Sequence, residues 1–136
     1  MIEDTKFLLK KFLCWAQLKF KIHTTPEHTV VYFREREVWW CALGINIGYE
    51  QNGKHENFER PVLILKKFSK HFLWVLPMTS KQKFGKFYYR TDYNGSQYYI
   101  ILSQIRALSS KRLLRKLRTL SQSEFYTVKK RVKEFL

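Results

Sequence analysis

What this chain has little of narrows its chemistry quickly. Cysteine appears twice in 136 residues, as Cys14 and Cys41, too few for a disulfide framework and in no metal-ligand spacing. The four histidines, His23, His28, His55 and His71, are not spaced as ligand pairs either, so neither a metal nor a cofactor is expected. No glycine-rich loop of the kind that cradles phosphate is present, and no nucleophile elbow. Any chemistry has to come from Arg, Glu, Thr, Ser or Tyr. Lysines interrupt every apolar stretch, and none approaches the ~18 apolar residues of a membrane span. The opening Met1-Ile2-Glu3-Asp4 is acidic, whereas a secretory signal starts basic and then runs apolar. Together these absences predict a cytoplasmic protein, not membrane-bound, with both thiols buried and reduced.

Acidic residues are also scarce. Eleven Asp and Glu against 26 Lys and Arg leave a net charge of +15, which points to a polyanionic partner, usually nucleic acid, or to an acidic protein that neutralises it. The charge is organised along the chain. From Arg60 to Ser123 there are fourteen Lys or Arg and a single acid, Asp92, while Glu35, Glu37, Glu50, Glu56 and Glu59 lie earlier. A basic face beside an acidic loop fits RNA binding with local chemistry better than it fits uniform solubilising charge. What is present in quantity is apolar surface: 45% hydrophobic and 17% aromatic residues exclude disorder as the main state. The length suits one domain.

All glycines lie between Gly44 and Gly95, and the prolines are Pro26, Pro61 and Pro77, so helical ends around a turn-rich middle are expected. Asp4 to Lys21 fits an amphipathic helix. Leu8, Leu9, Phe12, Leu13, Trp15 and Ala16 make its apolar stripe, and Lys10, Lys11, Gln17 and Lys19 take the other side. The simplest expectation docks that stripe on the rest of the fold; a basic helix lying on RNA or a membrane is the alternative. Short strands are predicted at Val30–Phe33, Glu37–Leu43, Pro61–Leu65, Phe72–Met78, 86–91 and Tyr98–Leu102. Arg115–Leu120 alternates basic and apolar residues and suits an edge strand. Gly44 to Arg60 reads as a long polar loop, and Asp92-Tyr93-Asn94-Gly95 as a turn. Ser121-Gln122-Ser123-Glu124 is a capping box in which Ser and Glu each satisfy an orphan N–H. It opens a last helix with Phe125, Val128, Val132 and Phe135 on one face. The expected fold class is mainly β with helices (α+β): a small curled barrel of antiparallel strands, a C-terminal helix and an extra N-terminal helix.

Groups able to do chemistry concentrate in two places, Tyr49-Glu50-Gln51-Asn52-Gly53 running on to Glu59-Arg60-Pro61, and Pro77-Met78-Thr79-Ser80. An Arg entering one strand and a Thr leaving the next can both reach a phosphate, the guanidinium forking onto its oxygens. Taken alone, this pattern leaves Arg60 equally well explained as a surface ion pair with Glu59 or Glu56.

The ordered set Val38-Trp39-Trp40, Gly48-Tyr49-Glu50-Gln51, Arg60-Pro61-Val62-Leu63-Ile64-Leu65, Pro77-Met78-Thr79-Ser80 and Leu102-Ser103-Gln104-Ile105-Arg106 resembles the MazF/PemK (Kid) family of type II toxins. Arg112-Leu113 and Leu120-Ser121-Gln122-Ser123-Glu124 continue the likeness, which covers about residues 34–136. The resemblance implies an SH3-like barrel over 34–136 with residues 1–33 as an N-terminal helical extension. It also implies a homodimer, an acidic antitoxin partner, and a sequence-selective, metal-independent endoribonuclease acting on single-stranded mRNA. Such enzymes cleave by attack of the ribose 2′-hydroxyl, giving a 2′,3′-cyclic phosphate and a 5′-hydroxyl. The family's catalytic residues fall on Arg60, Thr79 and Glu50, and Tyr49, Gln51, Asn52, Ser80 and Gln104 are expected against the substrate. By chemistry, Arg60 would stabilise the phosphorane and Thr79 donate to a phosphate oxygen. Glu50 is an easier base than a guanidinium. Tyr49 and one of Trp39 or Trp40 offer stacking faces; adjacent strand residues point to opposite sides, so the other Trp belongs to the core.

The chain departs from the family pattern in the longer loop, Lys54 to Glu59, and in Ser103, where some members carry an acid. Two other readings stand beside the toxin: a catalytically silent RNA-binding barrel, and a gyrase-poisoning toxin on the same fold, since fold does not fix function. The second depends on an aromatic-Gly tail, whereas this sequence ends Glu134-Phe135-Leu136.

Overall fold

The computed structural model describes residues 4–136; the acidic Met1-Ile2-Glu3 read above lies outside them. A first helix, α1, runs Thr5–His23 from an Asp4 cap whose carboxylate accepts from Lys6 N–H. Seven strands follow: β1 (Glu37–Ala42), β2 (Glu59–Lys67), β3 (Phe72–Thr79), β4 (Tyr88–Tyr93), β5 (Ser96–Ile101), β6 (Arg106–Ser109) and β7 (Leu113–Thr119). Helix α2 (Gln122–Lys133) closes the chain. All pairings are antiparallel. The order is β4-β5-β3-β2-β1-β7, with β6 on β3. The expected class, mainly β with two helices, is what the chain adopts, as a curled half-barrel.

Period-two alternation explains why the sheet curls around two cores. Val38, Leu63, Leu65, Leu76 and Met78 face α2 and pack with its Phe125, Val128 and Val132. Their strand neighbours Trp39, Cys41, Val62, Ile64, Leu73 and Val75 face the other way, onto Phe33 and Leu108. Burial of both faces makes Pro61-Val62-Leu63-Ile64-Leu65 read as a continuous apolar run. The outer strands β4 and β7 are bridged by side chains: Arg118 donates to the Asp92 carbonyl at 3.3 Å and meets the Glu124 carboxylate at 3.7 Å.

Several sequence expectations need correcting. Val30–Phe33 forms no strand; it is extended chain without a ladder, placed by Phe33, which is fully buried. The β4–β5 turn is tighter than predicted. Asp92 and Tyr93 belong to β4, and Asn94 and Gly95, with φ of 51° and 77°, make a two-residue hairpin turn. Half of the capping box forms. Ser121 Oγ accepts from Glu124 N–H at 3.2 Å. The Glu124 carboxylate instead takes the Thr91 hydroxyl at 2.8 Å, pinning α2 to β4. The apolar stripe of α1 docks through Trp15 and is otherwise left open. Trp15 alone is buried, whereas Phe7, Leu9, Phe12, Leu13 and Phe20 are exposed. Cys14 is exposed as well, contrary to expectation, and Cys41 is buried.

Trp15 fixes α1 through a socket. A Cβ at Gly44, where φ is +81°, would overlap the indole, so glycine is required both for backbone and for space. The Phe58 ring packs at 5.6 Å, and the Arg112 guanidinium lies over the indole at 5.6 Å. A second tether, Lys111 Nζ to the His23 carbonyl at 2.8 Å, holds the far end.

Candidate active site

Strand register assembles the site. Val62 of β2 lies opposite Pro77 of β3, so two residues further along the antiparallel pair Arg60 and Thr79 come side by side. The Arg60 Nη1 donates to the Met78 carbonyl at 3.1 Å, and its Nε donates to the Asn52 carbonyl at 2.6 Å. Asn52 is itself fixed, its Oδ1 accepting from Asn46 N–H at 2.6 Å. Arg60 and Thr79 line one cavity of about 410 Å³ together with Trp40, Lys54, His55, Glu59, Ser80, Tyr98 and Arg115.

Both bonds of Arg60 go to carbonyls and neither to a carboxylate. Burial pulls its pKa below the ordinary guanidinium value, because the charged form gives up water without an ionic partner. Glu59 does not neutralise it. Arg115 takes that carboxylate with two bonds, at 2.6 and 3.3 Å, and holds it below the usual carboxylate range. Thr79 Oγ1 accepts from Lys81 N–H at 3.2 Å, leaving the hydroxyl proton to donate. Arg115 also lies over the Trp40 ring at 5.0 Å. Trp39 points to the core and donates to Glu37 at 3.0 Å, so of the two tryptophans only Trp40 reaches the cavity. The arrangement offers a desolvated cation, a hydroxyl donor and a flanking arginine around a space fit for a phosphodiester.

Most of the other sequence-predicted residues are divided between this cavity and a neighbour, and Asn52 lines a third, against α1. Ser80 joins Arg60 and Thr79. Glu50 and Tyr49 are exposed and line a separate cavity of about 540 Å³ with Gln104 and Arg106. Gln104 clamps that loop, accepting from Gln51 N–H at 2.8 Å and donating to the Tyr49 carbonyl at 3.1 Å. No bond joins Glu50 to Arg60; its carboxylate accepts from Ile47 N–H at 3.5 Å.

Sequence reasoning missed His55, Lys54 and Arg115. The turn from Lys54 to Glu59 closes on itself through two backbone bonds, at 2.8 and 2.9 Å. His55 and Phe58 adopt positive φ, 66° and 47°, and the turn delivers His55 to the Arg60 cavity. Nothing in the spacing of His55 from Arg60 betrays the encounter. Among the described residues, no group of three or more His, Cys, Asp and Glu lies close enough to hold a metal ion. Among the same residues, no helix is long and apolar enough to cross a membrane.

Comparison with known proteins adds the following. A family described as the PemK-like, MazF-like toxin of type II toxin-antitoxin systems matches residues 34–136. None of the curated proteins matches in sequence. Among solved structures, MazF of Deinococcus radiodurans is similar at 18% identity and a TM-score of 0.61, over 77% of this chain and 97% of that one. An endoribonuclease from a mycobacterial species, solved with its cognate antitoxin, gives 12% and 0.57, over 76% and 93%. The Mycobacterium tuberculosis toxin MazF-mt6 gives 16% and 0.56, over 73% and 94%. At these identities the structures share the fold.

Proposed function

The chain belongs to the PemK-like, MazF-like toxins of type II toxin-antitoxin systems, and from that premise we propose that it is a cytoplasmic, sequence-selective endoribonuclease that cuts single-stranded mRNA without a metal ion. The observation that carries this reading is the pairing of Arg60 and Thr79 in one cavity, with the Arg60 charge unopposed by any carboxylate.

In the reaction, the ribose 2′-hydroxyl oxygen bonds to phosphorus, the bond from phosphorus to the 5′-oxygen breaks, and a 2′,3′-cyclic phosphate and a 5′-hydroxyl result. Arg60 and Thr79 bind the non-bridging oxygens and stabilise the charge that grows on them. Removing one such donor typically costs about 10²–10³ in rate. The 2′-hydroxyl proton needs an acceptor. Glu50, an easier base than the Arg60 guanidinium on chemical grounds, lines the neighbouring cavity. Glu59 is engaged by Arg115. His55 shares the cavity with Arg60 and Thr79, and we assign it the proton, which passes back through water to the 5′-oxygen.

Residues 34–136 form the toxin domain in this reading, and 1–33 an N-terminal extension. The working unit is a homodimer. A net charge of +15 suits both the RNA and an acidic antitoxin, a partner of the kind seen with the mycobacterial relative. The test incubates purified protein with long single-stranded RNA in chelator, beside Arg60→Ala. Discrete cuts with cyclic phosphate ends, absent from the variant, are expected. RNA that shifts on a gel but stays intact would instead make this a silent binding barrel.

A further inference from the structure

A cleft of about 780 Å³ opens between α1 and the loop after β1. Leu8, Lys11 and Phe12 of α1 form one wall, and Ile47, Asn52 and Lys54 belong to the other. Lys54 and His55 also line the cavity of Arg60 and Thr79, so the two spaces share a rim. The α1 wall precedes residue 34, where the family match begins, and so lies outside that match.

We propose, resting on the ribonuclease reading above, that this cleft is a nucleotide subsite. It takes the RNA next to the scissile phosphate, with one base stacked on Phe12 and the backbone passing Lys11 and Lys54. The occupant is argued from charge, aromatic surface and continuity. No Asp or Glu lines the cleft, and the cations Lys11, Lys54, Arg60 and Arg115 succeed one another from α1 into the catalytic cavity. Phe12, 39% exposed, stands one residue from Lys11 on the same wall. A single strand supplies a phosphate for the lysines and a base face for the phenyl ring, whatever its sequence. The wall is held in place for this role by Trp15 in its Gly44 socket and by the bond from Lys111 to His23. The cleft has nearly twice the volume of the catalytic cavity, room for a nucleotide with its base.

The test measures cleavage of a short oligonucleotide centred on the cut site, and of the same oligonucleotide extended by a few nucleotides on the 5′ or the 3′ side. Full-length protein is compared with Phe12→Ala, Lys11→Ala and, as a control on the exposed face of α1, Phe20→Ala. Circular dichroism confirms that each variant is folded. Extension on one side raises kcat/KM of the unaltered protein. Phe12→Ala loses about tenfold of that gain, within the range for removing a base–aromatic stack, and Phe20→Ala keeps it. Lys11→Ala flattens the salt dependence of binding by about 0.7 in slope, one phosphate's share. Equal cleavage of short and extended RNA by the unaltered protein overturns the subsite and leaves the ribonuclease reading standing. So does a Phe12→Ala variant that keeps the full gain and instead escapes inhibition by an acidic antitoxin peptide, which would make the cleft a protein-docking surface. Failure of the unaltered protein to cut any RNA overturns both.

Discussion

Glu59 precedes Arg60 in the chain, yet it gives both carboxylate oxygens to Arg115, at 2.6 and 3.3 Å. Arg60 therefore sits beside an acid in sequence and is not neutralised by it in space. That separation preserves a positive charge for a phosphate.

Arg115→Ala releases Glu59 toward Arg60. Cleavage should fall about tenfold or more, the scale of one charge-assisted hydrogen bond. Arg115→Ala combined with Glu59→Gln should recover most of the loss in single-turnover assays. A double variant no better than the single would mean that Arg115 acts on the RNA directly.

Arg60→Ala and Thr79→Val should each lower the cleavage rate by about 10²–10³ while RNA binding, measured by fluorescence anisotropy, changes far less. Thr79→Ser keeps the donor and should stay close to the unaltered protein. Binding that collapses in step with cleavage would reassign both residues to substrate affinity.

The proton acceptor separates by substitution. His55→Gln should lower the single-turnover cleavage rate by about 10²–10⁴, the usual share of a general base, while RNA binding holds, and Glu50→Gln should leave the rate close to that of the unaltered protein. The reverse result would return the role to Glu50.

The two thiols should differ sharply. Burial pushes the Cys41 thiol up to about 12, so it stays protonated and enclosed, while Cys14 is exposed on α1. One thiol per chain should react with a disulfide reagent in the native protein, and two after denaturation. Cys14→Ser should abolish the native reaction.

Acid stability should depend on Glu37. Burial alone would raise its carboxyl pKa, but bonds from Trp39, Arg34 N–H and Lys116 outweigh burial and leave it below the usual range. A depressed folded-state pKa stabilises above the unfolded value, and that stabilisation is lost as pH falls through the folded one. Thermal stability should thus drop below about pH 4.5, and Glu37→Gln, less stable at neutral pH, should show a shallower drop.

Period-two patterning made the central strands legible because both faces of β1, β2 and β3 are buried and their apolar runs are unbroken. It failed for β6, whose four residues, Arg106–Ser109, include one buried side chain, Leu108. In α1 the apolar stripe was visible but its partner was not: periodicity identifies a face, whereas the burial of Trp15 depends on Gly44, 29 positions further along. Arg60 and Thr79 were found through an ordered set of short motifs. His55 carried no such mark, because a turn with two positive-φ residues brings it to the cavity, and one of them, Phe58, is of a bulky type that rarely adopts that conformation. Glu124 shows the opposite case, a capping-box residue whose carboxylate is diverted to Thr91 once the chain has folded.

The turn from Lys54 to Glu59 has a consequence for engineering. Its two ends are tied to each other, N–H to carbonyl in both directions, while the Phe58 carbonyl also accepts from Leu43 and Gly44 N–H at 3.0 and 3.1 Å and its ring packs on Trp15. A graft here therefore has to keep His55, Phe58 and Glu59, and the tip at Glu56 and Asn57 is where length and overhang can change without shifting the register that sets Arg60 beside Thr79.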